Sequence, residues 1–247
     1  MAGRLIILAT FLGFLLGAHQ AGANSLTTVK PLERFAFSAV GVVKTFGPGS
    51  VVLCSGTLVA QDLVVTSAHC LEKYKGLLQH VDFAAGQTGT RALAVSGAAE
   101  IIQHPVWSYA SGPARLSYDV AVVRLARPIP EERVRSIELL PDDVDMPSEA
   151  ALLAYKAARE QFLHGRFDCG LAPANSIGLF ESDCSVSGGN SGGAVLVQSG
   201  DDWKLAGVIL ASASRDKSTL VVSVDQWLRD HVEDALRREA KRTARAE

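Results

Sequence analysis

The chain has 247 residues, of which 48% are hydrophobic and 20% are charged, and its formal net charge is −2. This near-neutral balance argues against a nucleic-acid partner, because proteins that bind nucleic acids carry a basic surface. The apolar content is sufficient for a core of ordinary size, so the four cysteines do not indicate a minimal disulfide-held scaffold.

Residues 1–23 have the composition of a secretory signal peptide. Arg4 supplies the positive start, Leu5 to Leu16 is an apolar run, and Ala21-Gly22-Ala23 is a cleavage site. The run is shorter than a transmembrane span, with an uncleaved anchor as the alternative, and no later apolar segment could cross a bilayer. We therefore expect export to the medium or a periplasm, without membrane insertion after cleavage. Cleavage removes Arg4 and no acid, which changes the formal net charge from −2 to −3.

The first half of the mature chain, residues 24–247, predicts many short strands. These runs are rich in valine, isoleucine, leucine and threonine, and glycine and proline separate them. The clearest are Phe37 to Lys44, Ser50 to Val59, Asp62 to Ser67, Arg91 to Ile102 and Asp119 to Leu125. Short strands without alternating long helices favour β-barrels over a parallel sheet.

A proline-punctuated stretch from Arg127 to Pro147 predicts the join between two halves. The second half repeats the strand pattern, except that the alanine-rich Glu149 to Phe162 predicts a helix on propensity alone. Three regions follow from this organisation: a first barrel over about 36–130, a second over about 147–225, and a terminal helix over about 225–240.

The terminal helix rests on apolar residues that recur at helical spacing, at Val224, Leu228, Val232 and Leu236. The chain beyond Leu236 is basic. We expect a solvated, fraying helix end there, with docking to an anionic surface as the alternative.

The cysteines fit the oxidising compartment that export implies, and the sequence alone allows three pairings. A zinc site is not predicted, because the chain has neither a close cysteine pair nor a partnered histidine pair. We expect no metal and no organic cofactor.

Three separate motifs supply the parts of a catalytic triad. Ser191 lies in Gly189-Asn190-Ser191-Gly192-Gly193, His69 in Thr66-Ser67-Ala68-His69-Cys70, and Asp119 opens an apolar run. A serine hydroxyl needs a histidine base, and the imidazole needs a carboxylate that fixes its tautomer and stabilises its charge. The glycines allow a sharp turn, which we expect to aim the amides of Gly189 and Ser191 at a developing oxyanion. The sequence therefore predicts His69, Asp119 and Ser191 as catalytic residues.

The serine motif also fits the nucleophile elbow of α/β-hydrolases, G-x-S-x-G. That fold places an acid and then a histidine after the serine. Here only His231 follows Ser191, and it lies on the charged terminal helix. The residue order therefore disfavours an α/β-hydrolase.

Taken together, the motifs resemble those of trypsin-like (chymotrypsin-fold) serine peptidases, most closely the bacterial glutamyl-endopeptidase-like branch. The matching segments are Ser55-Gly56-Thr57-Leu58-Val59, Thr66 to Cys70, His104-Pro105 with Trp107, Asp119 to Leu125, and Asp183-Cys184 ahead of Gly189 to Gly193. The resemblance implies an all-β fold of two six-stranded antiparallel β-barrels with a C-terminal α-helix. It makes Glu149 to Phe162 part of a β-hairpin, and we follow that interpretation over propensity.

The resemblance also implies disulfides Cys54–Cys70 and Cys169–Cys184, and an acyl-enzyme mechanism on protein or peptide substrates. It places the base of the specificity pocket at Ser185 and its wall around Leu210 to Ala213, which includes Ser212. Glutamyl endopeptidases carry a histidine where this chain has Ile209, and Ser185 is not an acid. We therefore expect a neutral pocket that accepts small or medium apolar side chains.

Two departures from the trypsin pattern affect activation and activity. Trypsins have a cysteine at the position of Ser187 and an aspartate at the position of Asn190, and that aspartate pairs with a newly cut N-terminus. Asn190 cannot form this ion pair, so we expect no trypsin-style activation, although a short propeptide within Asn24 to Phe35 stays open. The alternative function is a catalytically silent pseudo-peptidase that acts as a binding or scaffold protein. The sequence does not predict the oligomeric state or the natural substrate.

Overall fold

The structure is a computed structural model that describes residues 24–157, 162–212 and 219–246. The predicted signal peptide lies outside the described residues. Within them the chain forms thirteen strands and two α-helices. The strands are β1 Thr27–Thr28, β2 Val40–Gly47, β3 Ser50–Ala60, β4 Leu63–Thr66, β5 Val81–Ala85, β6 Ala94–Gln103, β7 Ala121–Leu125, β8 Glu149–Ala154, β9 His164–Pro173, β10 Leu179–Ser182, β11 Ala194–Ser199, β12 Asp202–Ser212 and β13 Thr219–Ser223, and the helices are α1 Pro31–Ala36 and α2 Gln226–Ala246.

The first barrel is a closed antiparallel ring in the order β2-β3-β4-β7-β6-β5. Its strands contain runs of valine and isoleucine, whose branched side chains pack well on a pleated surface. Gly49, with a φ of 71°, lies in the tight turn between β2 and β3. A closed ring leaves no open sheet edge, which removes a site of unwanted strand pairing.

The second barrel has the strand order β8-β9-β10-β13-β12-β11, and pairing between β8 and β9 closes it. The short strand β1 adds to β9 from outside the ring. Both barrels are therefore antiparallel and six-stranded, which confirms the predicted fold class.

Strand β8 forms the first six residues of the alanine-rich segment Glu149 to Phe162, for which helix propensity conflicts with the hairpin interpretation, and residues 158–161 lie outside the described residues. Ala150, Leu152 and Ala154 pack in one hydrophobic cluster, whereas Ala151 and Leu153 pack in the other. This alternation is the period of a strand with both faces buried. Burial on two faces outweighs the helix propensity of alanine and leucine, and β8 pairs with β9 as the hairpin interpretation predicts.

The segment from Asn24 to Val29 is built into the second barrel. Leu26 and Val29 are almost fully buried, and the Asn24 carbonyl accepts a hydrogen bond from the Ser185 amide at 2.8 Å. Helix α1, which follows, buries none of its residues. Removal of Asn24 to Val29 as part of a propeptide would therefore uncover two core positions.

Helix α2 packs on the molecule through Leu228, Val232 and Ala235, all of which are buried. The fourth position of the predicted apolar stripe, Leu236, is 48% exposed instead. Ala235 takes its place because a helix has 3.6 residues per turn, so steps of four residues drift around it and the buried face passes from position 232 to position 235. None of the described helices is long and apolar enough to span a membrane.

The basic end of α2 is anchored rather than fraying. The helix continues to Ala246. Arg238 and Arg242 reach back to Asp62, with nitrogen–oxygen distances of 3.5 and 3.0 Å. The Asp62 side chain is only 7% exposed, so its charge needs these partners.

Replacing both Arg238 and Arg242 by glutamine is expected to lower the free energy of unfolding by about 2 kcal/mol. Loss of both partners leaves a buried carboxylate unpaired, and the partial exposure of the arginines moderates the cost. Urea denaturation of the double variant measures it. The matched control is Lys241→Gln with Arg245→Gln, which removes the same charge from exposed positions of the same helix. Equal unfolding midpoints for the two double variants would contradict the anchoring role.

Candidate active site

His69 and Asp119 are brought together by two neighbouring strands. His69 lies in the turn after β4, Asp119 lies two residues before the start of β7, and these strands pair with Thr66 opposite Ala121. The His69 Nδ1 is 2.6 Å from one carboxylate oxygen of Asp119, and the His69 backbone amide donates to the other at 2.8 Å. Two bonds from one residue fix the ring relative to a carboxylate that is 2% exposed.

This arrangement assigns the ring hydrogen to Nδ1, since a carboxylate accepts it there, and leaves Nε2 as the basic nitrogen. Nε2 lies 3.6 Å from the sulfur of Cys70. That sulfur belongs to the Cys54–Cys70 disulfide and carries no hydrogen to donate. The Nε2 lone pair is therefore free to accept a proton.

The disulfides are Cys54–Cys70 and Cys169–Cys184, the pairing that the resemblance implies. Among the described residues, one cluster has metal-like spacing, and it consists of Cys54, His69 and Cys70. It does not fit a metal, because the disulfide uses both sulfurs.

Ser191 lies in a tight loop held against the first barrel. Its carbonyl accepts from the Ser55 amide at 2.7 Å. The next residue, Gly192, has a φ of 80°, and a Cβ built there would lie 2.1 Å from the Ser55 carbonyl oxygen and 2.2 Å from the Thr66 hydroxyl. Only glycine combines this backbone conformation with this close approach.

One carbonyl joins the histidine and serine segments. The Ile209 carbonyl, on β12, accepts from the Ser67 hydroxyl at 3.1 Å and from the Gly192 amide at 2.7 Å. Ser67 is two residues before His69, and Gly192 is the residue after Ser191. The two barrels therefore present their predicted catalytic segments to each other at a shared point.

The Ser191 hydroxyl donates to the Leu210 carbonyl at 2.7 Å, and in the described part of the chain it makes no hydrogen bond with His69. Catalytic hydrogen bonds are often absent or long before substrate binds. A rotation about the Cα–Cβ bond of Ser191 is the smallest motion that frees the hydroxyl from Leu210. A productive site requires that motion.

The amides beside Ser191 fall into two groups. Asn190, Gly192 and Gly193 each donate their N–H to a backbone carbonyl. Within the described residues, those of Gly189 and Ser191 have no intramolecular acceptor. Two unused N–H groups on either side of Asn190 can donate to an oxyanion, as an acyl-transfer site requires.

Ser55 and Tyr155 support this loop, and sequence reasoning did not single them out for that role. The Ser55 hydroxyl donates to the Gly189 carbonyl at 2.9 Å and accepts from the Tyr155 amide at 2.8 Å. Ser55 is fully buried. The position of Ser55 directly after Cys54, in one of the matching motif segments, could have indicated a role near the site. Nothing in the sequence marks Tyr155, which lies 100 residues away.

Asn190 is fully buried, and neutral groups satisfy its amide. Its oxygen accepts from the Ser187 amide at 2.7 Å, and its nitrogen donates to the Tyr155 carbonyl at 2.8 Å. The loop therefore needs no cationic N-terminus to hold Asn190 in place.

The residues predicted for the specificity pocket differ in their exposure to solvent. Ser185 is partly exposed, and Ser25 forms an isolated bridge with it. Ile209 is fully buried in the core of the second barrel, so its side chain is not open to solvent. Ser212 ends β12, opposite Thr219, and Ala213 lies outside the described residues. The pocket wall stays a prediction.

His104, which lies in one of the matching motif segments, belongs to a separate cluster. Its Nε2 is 3.2 Å from an Asp225 carboxylate oxygen, and its ring packs against Tyr118 and Trp227. Burial lowers the pKa of His104, and Asp225 opposes this shift. The cluster links Asp225, directly before α2, to His104 and, through the ring contact with Tyr118, to the segment before Asp119.

Comparison with known proteins agrees with the observed fold. A structure of a Glu endopeptidase in complex with MPD superposes with a TM-score of 0.70 over 87% of this chain and 97% of that chain, at 17% identity. Chymotrypsin-like elastase family member 1 of Macaca fascicularis is 32% identical over 139 residues, which are 56% of this chain but only 45% of the elastase. The trypsin-like peptidase domain family matches residues 54–208, more than half of the chain. The chain therefore belongs to the trypsin-like peptidase family, as its sequence motifs predict.

Proposed function

We propose that the protein is an exported serine endopeptidase that hydrolyses peptide bonds through an acyl-enzyme. His69 Nε2 takes the proton of the Ser191 hydroxyl as the oxygen attacks the scissile carbonyl, and later returns it to the leaving amine. Asp119 stabilises the imidazolium, and the amides of Gly189 and Ser191 bind the oxyanion. Water then hydrolyses the ester. The shared Ile209 carbonyl supports this proposal most, because it holds Ser67 and Gly192 at one point.

Residues 24–247, expressed without the predicted signal peptide, are expected to react covalently with a fluorophosphonate probe through Ser191. Ser191→Ala should abolish labelling, whereas Ser199→Ala, at the exposed end of β11, should leave it unchanged. Mass spectrometry checks that the labelled chain has not been cut internally, since Asn190 needs no new N-terminus. Labelling that appears only after an internal cleavage would contradict the activation part of the proposal.

The second candidate is a pseudo-peptidase that binds other proteins without cleaving them. It is favoured by the bond from the Ser191 hydroxyl to the Leu210 carbonyl, which holds the nucleophile away from its base. If this is the resting and permanent state, the folded, disulfide-bonded protein stays unlabelled. The same probe therefore separates the two functions.

We propose a preference for small or medium apolar side chains on the amino side of the cleaved bond. Ser185 carries no charge, so the predicted pocket base offers no attraction for lysine or arginine. Profiling with a peptide library is expected to show these residues enriched. Strict cleavage after arginine, lysine or glutamate would overturn this preference without affecting the proposed mechanism.

A further inference from the structure

A small pocket lies outside the candidate active site, between helix α1, the first barrel and the start of the second. Its volume is about 170 Å³. Most of its lining is apolar or neutral, and the described lining residues are Pro31, Arg34, Phe35, Ser38, Gly86, Gln87, Thr88, Leu93, Tyr155 and Leu163. Arg34 is the single charged side chain among them.

Arg34 is unpaired by any acid in the described residues. Its Nε and Nη1 atoms are buried and have no hydrogen-bond acceptor. The guanidinium lies over the Phe162 ring, 5.3 Å from its centroid. Nη2 is not among these buried atoms, and its N–H groups donate in the plane of the guanidinium, away from the ring that its face contacts.

The pocket wall opposite α1 is rigid. Tyr155 donates its hydroxyl to the Gln87 carbonyl at 3.1 Å, and its backbone amide and carbonyl are bonded to Ser55 and Asn190. Burial raises the pKa of the Tyr155 hydroxyl, so it stays a neutral donor. A wall that is already fixed lowers the entropic cost of binding a ligand.

We propose that this pocket binds a monocarboxylate with an apolar body of about one ring, held by the Arg34 guanidinium. A carboxylate accepts two parallel N–H bonds from the planar fork of an arginine, and through the fork of Nε and Nη2 it would reach the orphaned Nε donor. The volume is close to that of the cavity of about 150 Å³ that holds benzene in an apolar interior. Phe35, Leu93 and Leu163 supply the apolar surface for the body of the ligand.

Ligand-observed NMR titration with benzoate tests the site, with benzamide as the neutral probe of the same shape. We expect benzoate to bind and Arg34→Gln to weaken it by about 10- to 100-fold, as loss of charge-assisted hydrogen bonds requires. Arg34→Lys keeps the charge without the planar fork, so its affinity for benzoate should lie between those of the unaltered protein and the Arg34→Gln variant. Arg127→Gln removes an exposed arginine elsewhere and should bind as the unaltered protein does. Thermal unfolding of each variant checks that it is folded.

N-acetylphenylalanine, whose carboxylate is that of a peptide C-terminus, distinguishes the source of the ligand. Tighter binding of this compound than of benzoate assigns the pocket to peptide ends, and the reverse order assigns it to free acids. Equal affinity of benzoate for the Arg34→Gln variant and the unaltered protein would overturn the site. That outcome would place the acid elsewhere, for example at the Gly189 and Ser191 amides, and would leave the proposed peptidase function standing.

Discussion

Asp119→Asn is expected to lower kcat by about 10⁴-fold with little change in folding. The asparagine oxygen can still accept the His69 backbone amide, so the loop keeps one of its two bonds. The amide nitrogen that faces the ring, however, donates a hydrogen where Nδ1 must donate its own. The imidazole is therefore driven to the tautomer that carries its hydrogen on Nε2, and it loses its function as a base.

Steady-state hydrolysis of a peptide ester and a peptide amide measures this loss, with circular dichroism as the folding check. Asp82→Asn, on β5 of the same barrel, is the matched control and should retain full kcat. A value of kcat for Asp119→Asn within about tenfold of the unaltered enzyme would show that the carboxylate does not set the tautomer.

Gly192→Ala is expected to destabilise the fold by about 4 kcal/mol, which combines backbone strain with overpacking. Its φ of 80° is unfavourable for alanine, and the new methyl would lie within 2.2 Å of two fixed oxygen atoms. One oxygen is the Ser55 carbonyl and the other is the Thr66 hydroxyl, which bonds that carbonyl at 2.7 Å. Neither can yield without moving β3 away from the Ser191 loop.

Thermal unfolding measures the effect, and a decrease in Tm of about 10 °C is expected for a domain of this size. Gly188→Ala makes the same chemical change four residues earlier, where a Cβ meets nothing within 4 Å. It should shift Tm by no more than about 2 °C, as substitutions away from packed sites usually do. Similar shifts for both variants would show that the close approach at Gly192 is not a constraint.

The candidate triad could be proposed from the sequence because each member lies in a distinctive local motif. His69 follows an apolar strand, Asp119 precedes one, and Ser191 is flanked by glycines whose backbone freedom the loop uses. The resemblance also corrected the alanine-rich β8, for which single-residue propensity points to a helix. Burial of both faces of β8 is a property of the assembled barrels, and it cannot be inferred from the secondary-structure propensities of single residues.

Other features depend on contacts between residues far apart in the chain. The orientation of the Ser191 hydroxyl depends on Leu210, and the support of its loop depends on Tyr155. The sequence alone predicts a fraying end for the basic part of α2, because it does not reveal the contacts of Arg238 and Arg242 with Asp62. Spacing and composition carry no information about such pairings, because the chain must fold before the partners meet.

The carbonyl of Ile209 links formation of the candidate site to assembly of the two barrels. It receives Ser67 from the barrel that is synthesised first and Gly192 from the barrel that is completed last. Neither half carries all three candidate catalytic residues, so the candidate site forms only when both barrels have docked.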